Sequence, residues 1–125
     1  MKRSVFLVIA ALVALIFGIG LLVRPIHMMH MFNVGMEPSS LFMARMAGIS
    51  MISLDLILWI GRNAADSSAM SGILVGGLFQ NVAMAVLAVH MMNKGWMNSM
   101  GWGAVVLHLL LALGFLTYLM KKKPA

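Results

Sequence analysis

Four long apolar runs alternate with short polar breaks along the chain, at about Val5 to Val23, Leu41 to Ile60, Met70 to Met92 and Met100 to Met120. Each is close to the roughly 20 residues that a helix needs to cross about 30 Å of hydrocarbon. The pattern predicts an all-α, polytopic membrane protein: a single transmembrane domain over residues 1–125, with spans at about 5–23, 41–60, 70–92 and 100–120 in an antiparallel bundle. The polar breaks Asn63 to Ser68 and Asn93 to Ser99 are short, so the second, third and fourth spans are expected to pack consecutively. The first run follows Lys2 and Arg3 in the manner of a signal peptide. It is too long for one and ends at Arg24 and Pro25 without a small-x-small cleavage site, so it reads as a retained signal anchor.

Between the first two spans lies a segment, 24–40, that is too apolar for a free loop and too short to span. Pro25 as a first helical residue and Gly35 as a stop predict a short interfacial helix carrying Ile26, Met29 and Phe32 toward lipid. Pro38, Ser39 and Ser40 supply the start of the second span. Small residues at four-residue spacing mark the faces where helices approach closely in lipid: Ala10, Ala14 and Gly18 in the first span, Ala44 and Gly48 in the second, Gly72 and Gly76 in the third.

Composition agrees with the pattern, since 62% of the residues are hydrophobic and 10% charged, against roughly a quarter charged in a soluble domain. The formal charge of +6 does not indicate nucleic acid, because the basic residues sit at the ends of apolar runs with no interleaved aromatics. They orient the chain instead. Lys2, Arg3, Arg62, Lys121, Lys122 and Lys123 fall on one side and Arg24, Arg45 and Lys94 on the other, which places both termini in the cytoplasm by the positive-inside rule. Trp59, Trp96 and Trp102 lie near span ends, where indole rings prefer to sit. Cysteine is absent, excluding disulfides, zinc-thiolate sites, iron–sulfur clusters and thiol nucleophiles.

Three groups of residues are candidates for chemistry. Asp55 is the one acidic residue well inside a span, where an aspartate costs about 2.5 to 3.5 kcal/mol to insert. Arg62, seven residues later on nearly the same face, and Gln80 on the third span are its expected partners, and the functional alternative is a proton or cation relay. On the outer side gather Met28, Met29, Met31, Met36, Met43, Met46, Met91, Met92, Met97 and Met100, together with His27, His30 and His90. Thioether and imidazole form the soft ligand set of copper(I), so His27, His30, Met31 and Met28 are candidate metal ligands. The competing reading is methionine as a flexible apolar filler where helix ends dock.

The third group lies deeper. Asn81 is framed by Gly77 and Ala85, and His108 by Ala104 and Ala112, so both are expected to face protein. Their depths below the connecting turn, about 18 and 15 Å, match well enough for a hydrogen bond between adjacent helices. His108 and His90 are also the candidate ligands for a haem or chlorophyll, though their unequal depths argue against one cofactor shared by both. No phosphate-binding loop, nucleophile elbow or carboxylate pair can be assembled.

From the second span onward the chain carries Ala44, Arg45 and Gly48, then Trp59 and Arg62, then Asn98, Gly101 and Trp102, then Gly114. In these residues it resembles a group of uncharacterised small four-helix bacterial inner-membrane proteins, with a broader likeness to DoxX-like proteins in architecture alone. The resemblance implies the bundle and a bacterial-type inner membrane, and no activity; Asp55 and the methionine-rich outer face are departures from it.

The leading expectation is a non-enzymatic membrane subunit or scaffold that associates with other membrane protein subunits or with copies of itself in the lipid bilayer. The alternatives are a cofactor or metal binder, and a small proton-coupled carrier using Asp55.

Overall fold

The computed structural model describes residues 1–121 and consists of five helices: α1 (Arg3–Val23), α2 (Pro25–Met31), α3 (Pro38–Gly61), α4 (Ser68–Asn93) and α5 (Gly101–Met120). All but α2 are long and apolar enough to cross a membrane. Lys122 and Lys123, which enter the charge asymmetry above, lie outside the described residues.

The helix boundaries follow local chemistry. Pro38 occupies the first turn of α3, and the Ser67 side chain caps α4 by accepting from the Met70 backbone N–H. The short helix α2 stops earlier than expected. Gly35 plays no part; Asn33 takes the left-handed conformation, with φ of 57°. The Asn33 N–H then reaches the His30 carbonyl and the Val34 N–H the Met29 carbonyl, closing a Schellman motif that a glycine signal could not reveal. Gly95, with φ of 71°, closes α4 in the same way.

The helices pair differently from their order in sequence. The third helix packs chiefly on α1 and only lightly on α4, while α4 and α5 form a second close pair. The reason is backbone proximity. A Cβ on Gly48 would lie 2.7 Å from the Gly18 carbonyl oxygen and 2.8 Å from the Leu22 amide nitrogen, so these two helices touch main chain to main chain. In the α4–α5 pair Gly77 is the close-approach residue, lying under the Phe115 ring. Gly72 and Gly76, by contrast, face open space, and the contact face expected there is unused within the chain.

The two hairpins, α1–α3 and α4–α5, meet at the end of the bundle that holds Arg3. There Phe6 stands edge-to-face on Phe115, with centroids 4.9 Å apart and rings inclined at 78°, and Tyr118 stacks on Phe6 at 5.3 Å. Arg3 pairs with Asp66 in the α3–α4 connection and also bonds the Ala64 carbonyl. The Tyr118 hydroxyl donates to the Met1 carbonyl at 2.7 Å. The start of α1 and the end of α5 therefore lie at the same end of the bundle.

Candidate functional site

Away from this aromatic floor the hairpins diverge and leave a cavity of about 280 Å³ between them. Its walls are side chains of all four long helices, among them Ala14, Leu54, Met84, Ala104 and Leu107, with Phe115 at the base. The roof is α2 and the turn after it, which direct Met28, Met29, Phe32 and Val34 inward. Expected to face lipid, Met29 and Phe32 instead turn into the protein, and of that trio only Ile26 is exposed. Methionine serves here as adaptable filler: Met28 lies over Gly20, and Met92 and Met97 over Gly101.

Asn98 fastens the roof. Its backbone N–H donates to the Phe32 carbonyl at 2.9 Å and its side-chain amide to the Met31 carbonyl at 3.0 Å, joining the α4–α5 connection to the end of α2. Its side-chain oxygen also accepts from the Met100 N–H at the start of α5. One asparagine thus both shapes a turn and ties the hairpins together opposite the aromatic floor.

Within the apolar walls lies a small polar group. Asn81, buried on α4, donates from Nδ2 to the Gly77 carbonyl one turn earlier, at 2.8 Å. This fixes the amide so that Oδ1 faces α5, where it lies 2.9 Å from His108 Nδ1. The expected bond between these helices therefore forms. Because Oδ1 can only accept, His108 donates from Nδ1, and in the uncharged imidazole this leaves Nε2 as an acceptor. Nε2 has no partner among the described residues, and both Asn81 and His108 line the cavity. Gln80 adds a second amide to the lining.

The other sequence-derived candidates fall elsewhere. His90 is exposed on α4 and does not border the cavity, so it cannot share a cofactor with His108. The cavity, about 280 Å³, lies at the small end of ligand pockets, which measure about 300 to 1,000 Å³. The four proposed copper ligands are split between two faces of α2. Met28 points into the cavity, whereas His27, His30 and Met31 border an outer groove beside Arg24 and Arg45. Two guanidinium groups at that groove disfavour a cation.

Asp55 is buried, 6% exposed, and forms no hydrogen bond or ion pair among the described residues. Neither expected partner reaches it. Arg62 bonds the Trp59 carbonyl and lies over the Trp59 ring, 4.6 Å from its centroid, and Gln80 lines the cavity that Asp55 does not. Counted along the two antiparallel helices from the Gly18–Gly48 contact, Asp55 falls at the level of the alanine-rich middle of α1. With no bond to lose, Asp55→Asn is expected to leave the unfolding midpoint in detergent unchanged or raised. A loss above about 1 kcal/mol would reveal a partner for the carboxylate.

The chain belongs to the family described as Domain of unknown function (DUF8292), which matches residues 8–125 and so includes every residue of the cavity. No curated protein and no solved structure matches it.

Proposed function

We propose that the protein is a four-span component of a bacterial-type inner membrane that holds a small apolar, hydroxyl-bearing molecule between its two hairpins. In this reading the bundle is antiparallel, both termini are cytoplasmic, α2 lies at the outer interface, and no reaction is catalysed. The observation that carries the proposal is the unpartnered Nε2 of His108 in a cavity otherwise walled almost entirely by apolar side chains. A hydrogen-bond acceptor in such a place is satisfied by a donor on the ligand, and the walls accept the rest of it.

The volume suits a short chain, or one portion of a longer lipid-like molecule. A neutral hydrogen bond contributes about 0.5 to 1.5 kcal/mol, up to roughly tenfold in affinity. In lipid nanodiscs, 1-octanol should therefore raise the unfolding temperature more than octane at equal membrane concentration. His108→Leu should abolish the difference between them. Native mass spectrometry of protein released in mild detergent should also show a retained apolar adduct. Equal responses to alcohol and alkane in the natural chain would overturn the reading.

A second reading, a subunit that docks on other membrane proteins, is favoured by the open face of α4. Nothing lies within 4 Å of a Cβ placed on Gly72 or Gly76, so another helix has room to approach that backbone closely. Crosslinking from these two positions in membranes tests it; crosslinks confined to lipid would set it aside.

A further inference from the structure

On the opposite side of α2 from the cavity, a second and wider groove of about 710 Å³ lies where α1, α2 and α3 come together. Its polar side chains are all basic: Arg24 at the α1–α2 junction, His27 and His30 on one face of α2, and Arg45 on α3. The local chain explains the convergence. Arg24 both ends α1 and precedes Pro25 at the first position of α2, and a three-residue spacing puts His27 and His30 side by side. Arg45 lies about 10 Å along α3 from Pro38, inside the apolar stretch, yet it is exposed.

No carboxylate lines the groove, and neither arginine makes a side-chain hydrogen bond or ion pair among the described residues. The one ion pair among those residues joins Arg3 to Asp66 at the other end of the bundle. Guanidinium groups beside apolar stretches near helix ends reach for water or for the phosphates of the headgroup layer. Ile26 and Leu41 add apolar wall beside the charges.

We propose that this groove is a binding site for the phosphate of an anionic phospholipid, with Arg24 and Arg45 gripping the phosphate oxygens, His27 and His30 adding ring N–H donors, and an acyl chain lying along Ile26 and Leu41. Guanidinium is suited to this, since its planar fork matches phosphate oxygens two at a time. The absence of a carboxylate makes the site selective. An ethanolamine or choline group would find no counter-charge in the groove, whereas a glycerol headgroup needs none. The apolar wall favours a lipid over free phosphate. The site does not depend on the cavity ligand, because α2 separates the two.

The test uses the purified full chain in neutral detergent, with phosphatidylglycerol, phosphatidylcholine or inorganic phosphate added and retained adducts read by native mass spectrometry. Phosphatidylglycerol should be retained about tenfold more strongly than phosphatidylcholine, and Arg45→Gln should lower its retention about tenfold, the worth of one charge-assisted hydrogen bond. Arg24→Gln should act similarly, while Lys94→Gln, at the same end of the bundle but outside the groove, should have no effect. Circular dichroism of each variant checks that it remains folded. Equal retention of the two lipids, retention of inorganic phosphate in place of lipid, or an equal loss in Lys94→Gln would each overturn the proposal.

Discussion

Replacing Gly48 with leucine is expected to drive α1 and α3 apart and to lower the stability of the bundle by about 3 kcal/mol or more, the upper end of what overpacking costs. The reason is that nothing near Gly48 can yield cheaply. The atoms nearest a new Cβ are the Gly18 carbonyl oxygen at 2.7 Å and the Leu22 nitrogen at 2.8 Å, both backbone. Relief therefore requires one whole helix to move. In lipid the loss is felt directly, because close backbone contact rather than exclusion of water holds the helices together. Gly72→Leu is the matched control: it adds the same side chain to an open helix surface, and it should leave the midpoint unchanged or raise it by up to about 1 kcal/mol through helix propensity. Unfolding in mild detergent titrated with a denaturing one, followed by circular dichroism, measures both. Similar losses in the two variants would mean that the α1–α3 contact does not hold the fold.

The contrast between these glycines shows where the sequence was legible. Run length and polar breaks placed all four long helices within about three residues of their observed ends, because crossing hydrocarbon demands an unbroken apolar stretch of nearly fixed length. Small-residue spacing correctly marked Gly18 and Gly48. On α4 it marked two stripes, Gly77 with Ala85 around Asn81, which packs, and Gly72 with Gly76, which faces outward. Spacing alone cannot separate adjacent faces of a helix that is apolar all round, and the same ambiguity hid the pairing of α3 with α1. What decided that pairing was which backbones could approach, and this depends on two sequences at once.

At the site, the polar residues were easier to read than their surroundings. Asn81 and His108 stood out because each is framed by small residues at helical spacing, and depth counted from the turn matched them across two helices. Arg62 and Asp55 satisfied a similar periodicity, yet Arg62 turned to its own Trp59, a partner three residues away that costs less chain entropy to hold. Inward-facing Met29 and Phe32, and Asn98 as the tie across the roof, were beyond such reasoning. Their roles depend on where α2 comes to rest against the distant α4–α5 connection, and the hydrogen bonds from Asn98 span more than sixty residues of chain.

Phe115→Ala is expected to cost about 3 kcal/mol and, unlike the change at Gly48, to be partly reversible by ligand. Phe115 is 1% exposed, packs edge-to-face on Phe6 and lies against Gly77 at the base of the cavity. Truncation leaves a void of the order of 100 Å³, worth about 2 kcal/mol at roughly 24 cal/mol per Å³. Loss of the aromatic pair adds about 0.5 to 1.5 kcal/mol. The new void is continuous with the existing 280 Å³, since Phe115 forms part of that wall. An apolar void stays dry and accepts apolar guests, so 1-decanol should now stabilise the variant more than 1-octanol, while the natural chain should prefer the shorter alcohol. A guest present at a hundred times its Kd restores about 2.7 kcal/mol, most of what the truncation removed. Phe79→Ala, which removes the same ring from an exposed position on α4, should change neither stability nor alcohol preference appreciably. If the Phe115 variant loses stability but its alcohol preference stays the same, the ring supports the bundle without bounding the ligand site, and the hydroxyl contact at His108 would have to be sought in a cavity with a different base.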